Sequence, residues 1–392
     1  MLRRELWCVG STAVLRSLLN PWALLIAPLA LVSTACSGGD VTAEPAPTAI
    51  STTTRPVATT SAPTTVVERG AATENGIGNG RPVTIAFGGD VHFAPPLDST
   101  LARSPLDMLE GVRTALESAD LSIVNLETAI GISGERQSKS FTFQAPPAAF
   151  EPLLSAGVDV IGMANNHALD YGQPGLTETL DAIAARSAPV IGIGVNDSAA
   201  FAPFTRTVNG QRIAVIAATQ VLDGNLVAAW TATDTHAGVA SAKRVDRLLG
   251  AVREARRSAD TVVVFLHWGT ELSHCPNAAQ LELAPQLVEA GADVIVGGHA
   301  HRVQGGGYLG RAYVEYGLGN LMFYAKVGEG RETGILTVTV TGRRVDDAAW
   351  QPARIGGDFR PNLEPPAAAV APLGRWASYR ACAKLADAPS GG

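Results

Sequence analysis

Side chains that can bind a metal ion follow apolar segments of this chain at five places. They are Asp90 and His92, Glu127, Asn166 and His167, His267, and finally His299 and His301. Five of the seven histidines belong to this set, a pattern that is not typical of histidines scattered over a surface. Because ligand sites in open α/β sheets gather at the carboxyl ends of strands, we expect these loops to converge on one cleft.

The residue types indicate which ion such a cleft would hold. Carboxylate, amide and imidazole groups together suit borderline divalent metals such as Zn²⁺, Mn²⁺, Fe²⁺ or Co²⁺, and no cysteine stands in these loops. A carboxylate between two such ions can bridge them, and a pair of ions can activate water and stabilise charge on a displaced oxygen. The residues therefore predict a mixed oxygen and nitrogen site for two divalent metals.

Each position also has an ordinary structural interpretation. A Gly-Asp pair such as the one ending at Asp90 is often only a turn, and Asn165-Asn166 can be a turn with positive φ. A lone histidine such as His267 is more often a satisfied core or surface group than a ligand, and Glu127 could be a solvated carboxylate. All of these interpretations must hold at once if no metal site exists, which favours the metal interpretation.

Strand and helix patterns alternate from Val83 to Val340 and predict an α/β domain. The apolar runs before Asp90, Glu127 and His267 predict strands, with helical patterns between them. Asn209-Gly210, between two extended runs, is a strong signal for a two-residue hairpin. We therefore expect mixed sheets.

Residues 1–35 are typical of an export signal, because basic residues precede an apolar run from Trp22 to Val32 that ends in small residues. Cys36 follows directly and is predicted to be lipidated as in bacterial lipoproteins; signal cleavage without lipidation, or an uncleaved anchor, are the alternatives. We expect an extracytoplasmic membrane lipoprotein that faces outward, or alternatively a secreted protein.

The chain beyond the signal is predicted to have three parts. Residues 36–80 are rich in Thr, Ser, Ala and Pro and predict a flexible tether. Residues 81–345 form the predicted domain, and residues 346–392, which are rich in Pro and Ala, are expected to be a tail packed on it.

The cysteines and the charge limit the possibilities further. With Cys8 and Cys36 assigned to the signal region, Cys275 and Cys382 remain as a possible disulfide in an oxidising compartment, the alternative being two unrelated thiols. A formal net charge of −6 gives no broad basic face, so nucleic acid is not an expected partner. An anionic ligand would have to be held locally.

The ordered motifs GGDVHF, NLET, NNHALDYG, HWGTE, GGHAH and GLGNLMF resemble the CapA family of capsule and poly-γ-glutamate synthesis proteins, itself similar to calcineurin-like metallophosphoesterases. The resemblance covers residues 83–325. It implies a four-layer αββα sandwich with a two-metal cleft at one edge of the central sheets.

The resemblance also implies a role for each residue. One metal would be held by Asp90, His92, Glu127 and His301, and the other by Glu127, Asn166, His267 and His299. His167 would be the catalytic general acid, and Asp170 and Glu271 would be carboxylates that orient imidazoles, unless they have only structural roles.

We therefore expect an exported metal-dependent hydrolase that acts on a phosphoester or on an amide-linked, poly-γ-glutamate-like surface polymer. The alternative is a non-catalytic, surface-anchored component that binds the anionic polymer during export. Expected partners are the polymer or phosphoester substrate, the membrane through the lipid anchor, and membrane proteins for capsule synthesis and export.

Overall fold

The computed structural model describes residues 81–325 and 328–390. The predicted signal, the lipidation site Cys36 and the predicted tether lie outside the described residues. The strands are β1 Val83–Val91, β2 Leu121–Leu126, β3 Ala129–Ile130, β4 Gln144–Ala145, β5 Val160–Gly162, β6 Val190–Ile191, β7 Ile193–Gly194, β8 Phe204–Val208, β9 Gln211–Thr219, β10 Gly238–Val239, β11 Thr261–Trp268, β12 Val294–His299, β13 Gly306–Leu309, β14 Ala312–Glu315, β15 Asn320–Met322, β16 Glu332–Thr341, β17 Arg344–Ile355 and β18 Pro361–Leu363. The helices are α1 Asp98–Arg103, α2 Glu110–Glu117, α3 Phe150–Ser155, α4 Gly172–Arg186, α5 Asp197–Ala200, α6 Val227–Trp230, α7 Val245–Arg256, α8 Ala278–Ala290 and α9 Pro366–Ala383.

The first large sheet is mixed and has the strand order β18-β17-β16-β1-β2-β5-β6. Strands β1, β2, β5 and β6 are parallel, whereas β16, β17 and β18 are antiparallel to their neighbours. The start of β1 pairs with β16, and its end pairs in parallel with the short strand β15. This arrangement places Asp90 beside Asn125 of β2 on one side and Asn320 of β15 on the other.

The second large sheet has the order β13-β14-β12-β11-β9-β8. Its four central strands are parallel, and a hairpin closes each edge. The β8–β9 hairpin turns at Asn209-Gly210, whose φ angles are 50° and 81°. Positive φ at both central residues suits the twist of a two-residue hairpin, so this sequence prediction is confirmed.

The two sheets pack face to face and each has helices on its outer face. Apolar side chains of both sheets, including Phe87 and Phe265, form one core between them. The outer core of the first sheet includes Val112 of α2, Leu153 of α3 and Leu176 of α4. The outer core of the second sheet includes Leu248 of α7 and Leu283 of α8. The predicted four-layer αββα arrangement is therefore confirmed.

The predicted C-terminal boundary of the domain, at residue 345, is wrong. Strand β17 pairs with β16 along nearly its whole length, and Trp350 and Ile355 are buried in it, so the boundary at 345 cuts a strand of the first sheet. Only α9 and the residues after it fit the predicted packed tail, and Trp376 of α9 stacks on Trp350 with ring centroids 6.4 Å apart. The frequent Pro and Ala residues concealed the strand because few of its side chains are strongly apolar.

Among residues 81–325 and 328–390, no helix is both long enough and apolar enough to cross a membrane.

Candidate metal centre

The predicted ligands come from strand ends in both sheets. Asp90, Glu127 and Asn166 lie at or after the ends of β1, β2 and β5, whereas His267 and His299 lie at the ends of β11 and β12. All five are buried. The sheets approach closely here, because a Cβ atom at Gly298 would lie 2.4 Å from Asp90 Oδ1. Glycine is therefore required where β12 meets β1.

Glu127 lies at the centre of the site and belongs to two groups of possible ligands. In one group its carboxylate lies with His267 and His299, and in the other with Asp90 and His301; within each group the ligand atoms are within 4.8 Å of one another. Glu127 is fully buried, yet neither of its oxygens accepts a hydrogen bond from the described residues. A buried carboxylate without such partners is costly unless a cation compensates it.

Asn166 joins the group that contains His267. The Oδ1 atom of Asn166 lies 2.7 Å from Nε2 of His267, and the same nitrogen lies 3.3 Å from Glu127 Oε1. An amide oxygen, an imidazole nitrogen and a carboxylate oxygen thus face one another.

Asp90 is held in place by the backbone and by an amide. Its Oδ1 accepts a hydrogen bond of 2.8 Å from Asn125 Nδ2, and its Oδ2 accepts one of 2.9 Å from the backbone N–H of His299. Burial raises the pKa of Asp90, but a hydrogen bond from His301 and the charges of His267 and His301 outweigh burial and bring the pKa to about 2. Asp90 is therefore a carboxylate at neutral pH.

His301 lies against the carboxylates. Its Nδ1 is 2.9 Å from Asn320 Oδ1 and 3.5 Å from Asp90 Oδ2. Burial lowers the pKa of His301, but Glu127 and Asp90 outweigh burial and raise it to about 9. His299 and His301 have φ angles of 86° and 51°, which non-glycine residues rarely adopt. Such strained backbone is found at functional sites, where surrounding contacts hold it.

His92, also a predicted ligand, lies among aromatic side chains beside the ligand groups. Its ring packs against Phe143, Phe323 and Tyr324, with centroid distances of 4.6, 4.2 and 4.8 Å. Both ring nitrogens are buried without a hydrogen-bond partner, and His92 belongs to none of the three ligand groups found in the described residues. Burial, together with the nearby His167 and His301, lowers its pKa well below the usual value. The role of His92 as a metal ligand therefore stays a prediction.

His167 and Asp170 form a hydrogen-bonded pair beside Glu127. His167 Nδ1 lies 2.5 Å from Asp170 Oδ2, and its Nε2 lies 3.8 Å from Glu127 Oε1. Asp170 is fully buried and also accepts a hydrogen bond of 2.6 Å from the backbone N–H of Phe143. One ring nitrogen of His167 is thus fixed by a carboxylate, and the other faces the ligand groups.

Lys139 is a functional candidate that the sequence analysis missed. Its ammonium group lies 2.8 Å from Asp170 Oδ1, donates to the backbone oxygen of Asn166, and lies 5.1 Å from the ring centre of Trp230. Lys139 stands in the long polar loop between the two-residue strands β3 and β4 and not at a strand end, so the strand-end pattern could not find it.

Asn125, Asn165 and Asn320 were also missed. Asn165 donates to Asn125 Oδ1 at 3.0 Å, and Asn125 in turn donates to Asp90. Asn125 and Asn320 lie at strand positions beside Asp90, so the strand-end signal was present. The sequence analysis predicted an amide ligand only in the NNH motif.

Glu271 lies on the exposed side of the site. With His299 and His301 it makes up the third group of possible ligands. Burial and the neighbouring His267 and His301 lower the pKa of His299 well below the usual value. His299 is therefore a neutral imidazole, which is the form that binds metal.

The donor set fits divalent transition metals. It combines carboxylate oxygens, an amide oxygen and imidazole nitrogens, and it has unpartnered buried atoms on Glu127 and His299. The structure thus supports the presence of divalent metals at this site.

A disulfide joins Cys275 and Cys382, with a Cα–Cα distance of 5.7 Å. It connects the loop after β11 to the end of α9. The pairing predicted from the cysteine count is present in the structure.

Comparison with known proteins gives one family match. The sequence model of the family described as bacterial capsule synthesis protein PGA_cap matches residues 84–325. The capsule biosynthesis protein CapA of Bacillus anthracis is 29% identical over 250 residues, which are 62% of this chain and 60% of that protein. The PGA biosynthesis protein CapA of Bacillus subtilis (strain 168) is 29% identical over 245 residues, which are 62% of this chain and 63% of that protein. The match thus spans less than two thirds of either relative.

Among solved structures, the 5'-nucleotidase from Candida albicans SC5314 is similar with a TM-score of 0.40 and 12% identity, over 70% of this chain and 52% of that one. This likeness is too weak to support an argument about activity.

Proposed function

This chain belongs to the bacterial capsule synthesis protein PGA_cap family, and we propose that it is a metal-dependent hydrolase. Its substrate would be a phosphoester or an amide-linked, poly-γ-glutamate-like surface polymer, and its role would be in the synthesis or processing of that polymer. Two relatives described as capsule and PGA biosynthesis proteins support this choice of substrate class.

The observation that carries the proposal is the position of Glu127. Its carboxylate is shared by two ligand groups, and both of its oxygens are buried and accept no hydrogen bond within residues 81–325 and 328–390. Asp90, Glu127, Asn166, His267, His299 and His301 would hold the metal ions. When bound, divalent metals polarise a substrate oxygen and stabilise the negative charge that develops during hydrolysis.

His167 would supply the proton for the leaving group. Asp170 accepts the hydrogen bond from Nδ1 of His167. The other ring nitrogen of His167, Nε2, therefore faces Glu127, where a substrate would lie. Lys139 Nζ lies 2.8 Å from Asp170 Oδ1 and forms an ion pair with this buried side chain. This arrangement fixes the orientation of the ring, which general acid catalysis requires.

The proposal is tested with bis(p-nitrophenyl) phosphate and poly-γ-glutamate as substrates, in the presence of Mn²⁺ or Zn²⁺. We expect the wild type to hydrolyse one of them and His167→Gln to lower kcat by about 100-fold or more, with the metal content unchanged. The matched control is His236→Gln, a histidine that bonds to the Ala229 carbonyl and belongs to no ligand group of the described chain.

Binding of metal and polymer without turnover would contradict the hydrolase proposal. That result would favour the alternative, a surface-anchored component that binds the polymer during export.

We also propose that the chain is exported and anchored through a lipid on Cys36, because residues 1–35 are typical of a lipoprotein signal. Cell fractionation tests this: the wild type should be found with membranes and Cys36→Ser should be released. Equal distribution of the two proteins would show that Cys36 is not the anchor.

A further inference from the structure

We propose that Glu271 binds a divalent cation directly, together with His299 and His301, and does not merely orient an imidazole. The inference rests on the proposed function in one respect, the presence of divalent metal in this site. It adds an exposed carboxylate to a ligand set whose other members are buried or, in the case of His301, partly buried.

The first argument is the distance between the donor atoms. A carboxylate oxygen of Glu271 and one ring nitrogen each of His299 and His301 all lie within 4.8 Å of one another. Ligands of one zinc ion lie about 2.0 to 2.2 Å from the metal and are therefore separated by about 3 to 4 Å. Small movements of the Glu271 side chain would bring the three atoms to that spacing.

The second argument is that, among the described residues, Glu271 accepts no hydrogen bond from either imidazole. An outer carboxylate orients a histidine by accepting a hydrogen bond from its ring N–H. His301 Nδ1 faces Asn320 Oδ1 at 2.9 Å, so an amide already fixes that ring. His299 Nδ1 is buried and has no partner among the described residues. Glu271 thus lies near both rings without the contact that an orienting role requires.

The third argument is that the backbone around Glu271 is held firmly. The N–H of Leu272 donates to the carbonyl of Ala300 at 2.7 Å, directly between the two histidines. Gln304 Nε2 donates to the carbonyl of Ser273 at 2.9 Å, and the disulfide at Cys275 ties the loop to α9. The loop that carries Glu271 is therefore fixed against the β12 end, as expected for a ligand.

The exposure of Glu271 gives it a distinct role. Asp90 and Glu127 are fully buried, whereas Glu271 is exposed to solvent. A cation bound there would be reachable by an anionic group of a substrate. With Glu271 bound, three carboxylates would offset the charge of the metals, so the site would be less positive and would hold anions less tightly.

The experiment is diffraction from crystals of the protein grown with Zn²⁺, measured on both sides of the zinc absorption edge. We expect an anomalous peak about 2.0 to 2.2 Å from a Glu271 oxygen. Zinc at the buried groups with Glu271 directed away, or with Glu271 hydrogen-bonded to an imidazole, would overturn the inference and leave the proposed function intact. The absence of zinc from the whole site would overturn both.

A titration in solution provides a second readout. Glu271→Gln should weaken zinc binding by more than about 100-fold, which exceeds the roughly 10- to 100-fold that loss of an outer carboxylate costs. The matched control is Glu329→Gln, because Glu329 is an exposed carboxylate paired with His274 and Arg302 and belongs to no ligand group in the described chain. Equal zinc affinity of the wild type and Glu271→Gln would also overturn the inference.

Discussion

The fully buried carboxylate of Glu127 accepts no hydrogen bond from any residue of the described chain, although His267 Nε2 lies 3.3 Å from its Oε1. Removing a carboxylate from water costs several kcal/mol unless a cation or donors replace the lost hydration. Folded proteins rarely keep such a group without function. This single side chain is therefore the strongest sign that the described chain is built to bind metal.

The ligands could be predicted from sequence because each lies at or shortly after the end of an apolar strand. Lys139 could not be predicted, because its partner Asp170 is 31 residues away and only the fold brings them together. For His92 the sequence predicted a ligand, but it could not show how the ring is oriented. Its spacing from Asp90 is correct for a ligand, but its orientation depends on three aromatic side chains, two of which come from Phe323 and Tyr324 near β15.

Removal of the Lys139 charge should destabilise the protein. Lys139→Met leaves the fully buried Asp170 without its ion-pair partner, and breaking such a pair costs about 3 to 5 kcal/mol. The free energy of unfolding from urea denaturation provides the measurement. Lys243→Met, at an exposed lysine, is the control; equal stability of the two variants would refute the buried ion pair.

Glu315 should make stability depend on pH. Burial raises its pKa from 4.5 to about 8, and the hydrogen bond from Trp376 offsets burial only in part. Between these values the unfolded chain loses a proton that the folded protein keeps, so wild-type stability should fall as pH rises, by up to about 1.4 kcal/mol per pH unit.

Glu315→Gln keeps an oxygen for Trp376, which donates at 2.9 Å, and removes the titrating group. The wild type should therefore lose stability relative to this variant between pH 5 and pH 8, as measured by urea denaturation at each pH. Parallel pH profiles of the two proteins would show that Glu315 does not titrate in this way.

At the scale of elements, the hairpin at Asn209-Gly210 and the strands before the ligands could be predicted, because local patterns encode them. Helix α8 is a further example, since Asn277 and Gln280 form a capping box at its start and Gly291 ends it with φ 118°. Strand β17 could not be predicted in this way. It is stabilised by pairing with β16 and by long-range contacts such as the stacking of Trp350 on Trp376. The sequence of the strand itself shows neither interaction.

The disulfide fastens α9 to the loop that follows β11. It closes a segment with a sequence separation of 107 residues, and bridges of this kind contribute about 2 to 5 kcal/mol. Changing both Cys275 and Cys382 to Ser should lower the free energy of unfolding by that amount. A reducing agent should abolish the difference from the wild type, and a wild type insensitive to reduction would contradict a stabilising bridge.

At the scale of the whole molecule, the site depends on both sheets. Asp90, Glu127 and Asn166 come from the first sheet, and His267 and His299 come from the second. The two layers are joined by the core that contains Phe87 and Phe265, and Gly298 allows their ends to meet. Both ligand groups that contain Glu127 take residues from the two sheets, so filling these two groups with metal should require the intact sandwich.

The family resemblance extended this picture beyond what local patterns could give. Alternation of strands and helices predicted an α/β domain, but the packing of two sheets face to face came from the resemblance. The structure confirms it through the shared core of the two sheets. The signal, tether and lipid anchor remain predictions, since they fall outside the described residues.

The most direct test of the central claim is the metal content of the purified protein, determined by elemental analysis for the wild type and Glu127→Gln. Glu282→Gln, at an exposed carboxylate of α8, is the control. We expect about two divalent ions per chain in the wild type and the control, and about one or fewer in Glu127→Gln, because both ligand groups share this carboxylate. A wild type without metal, or a Glu127→Gln variant with the full amount, would contradict the proposed metal centre.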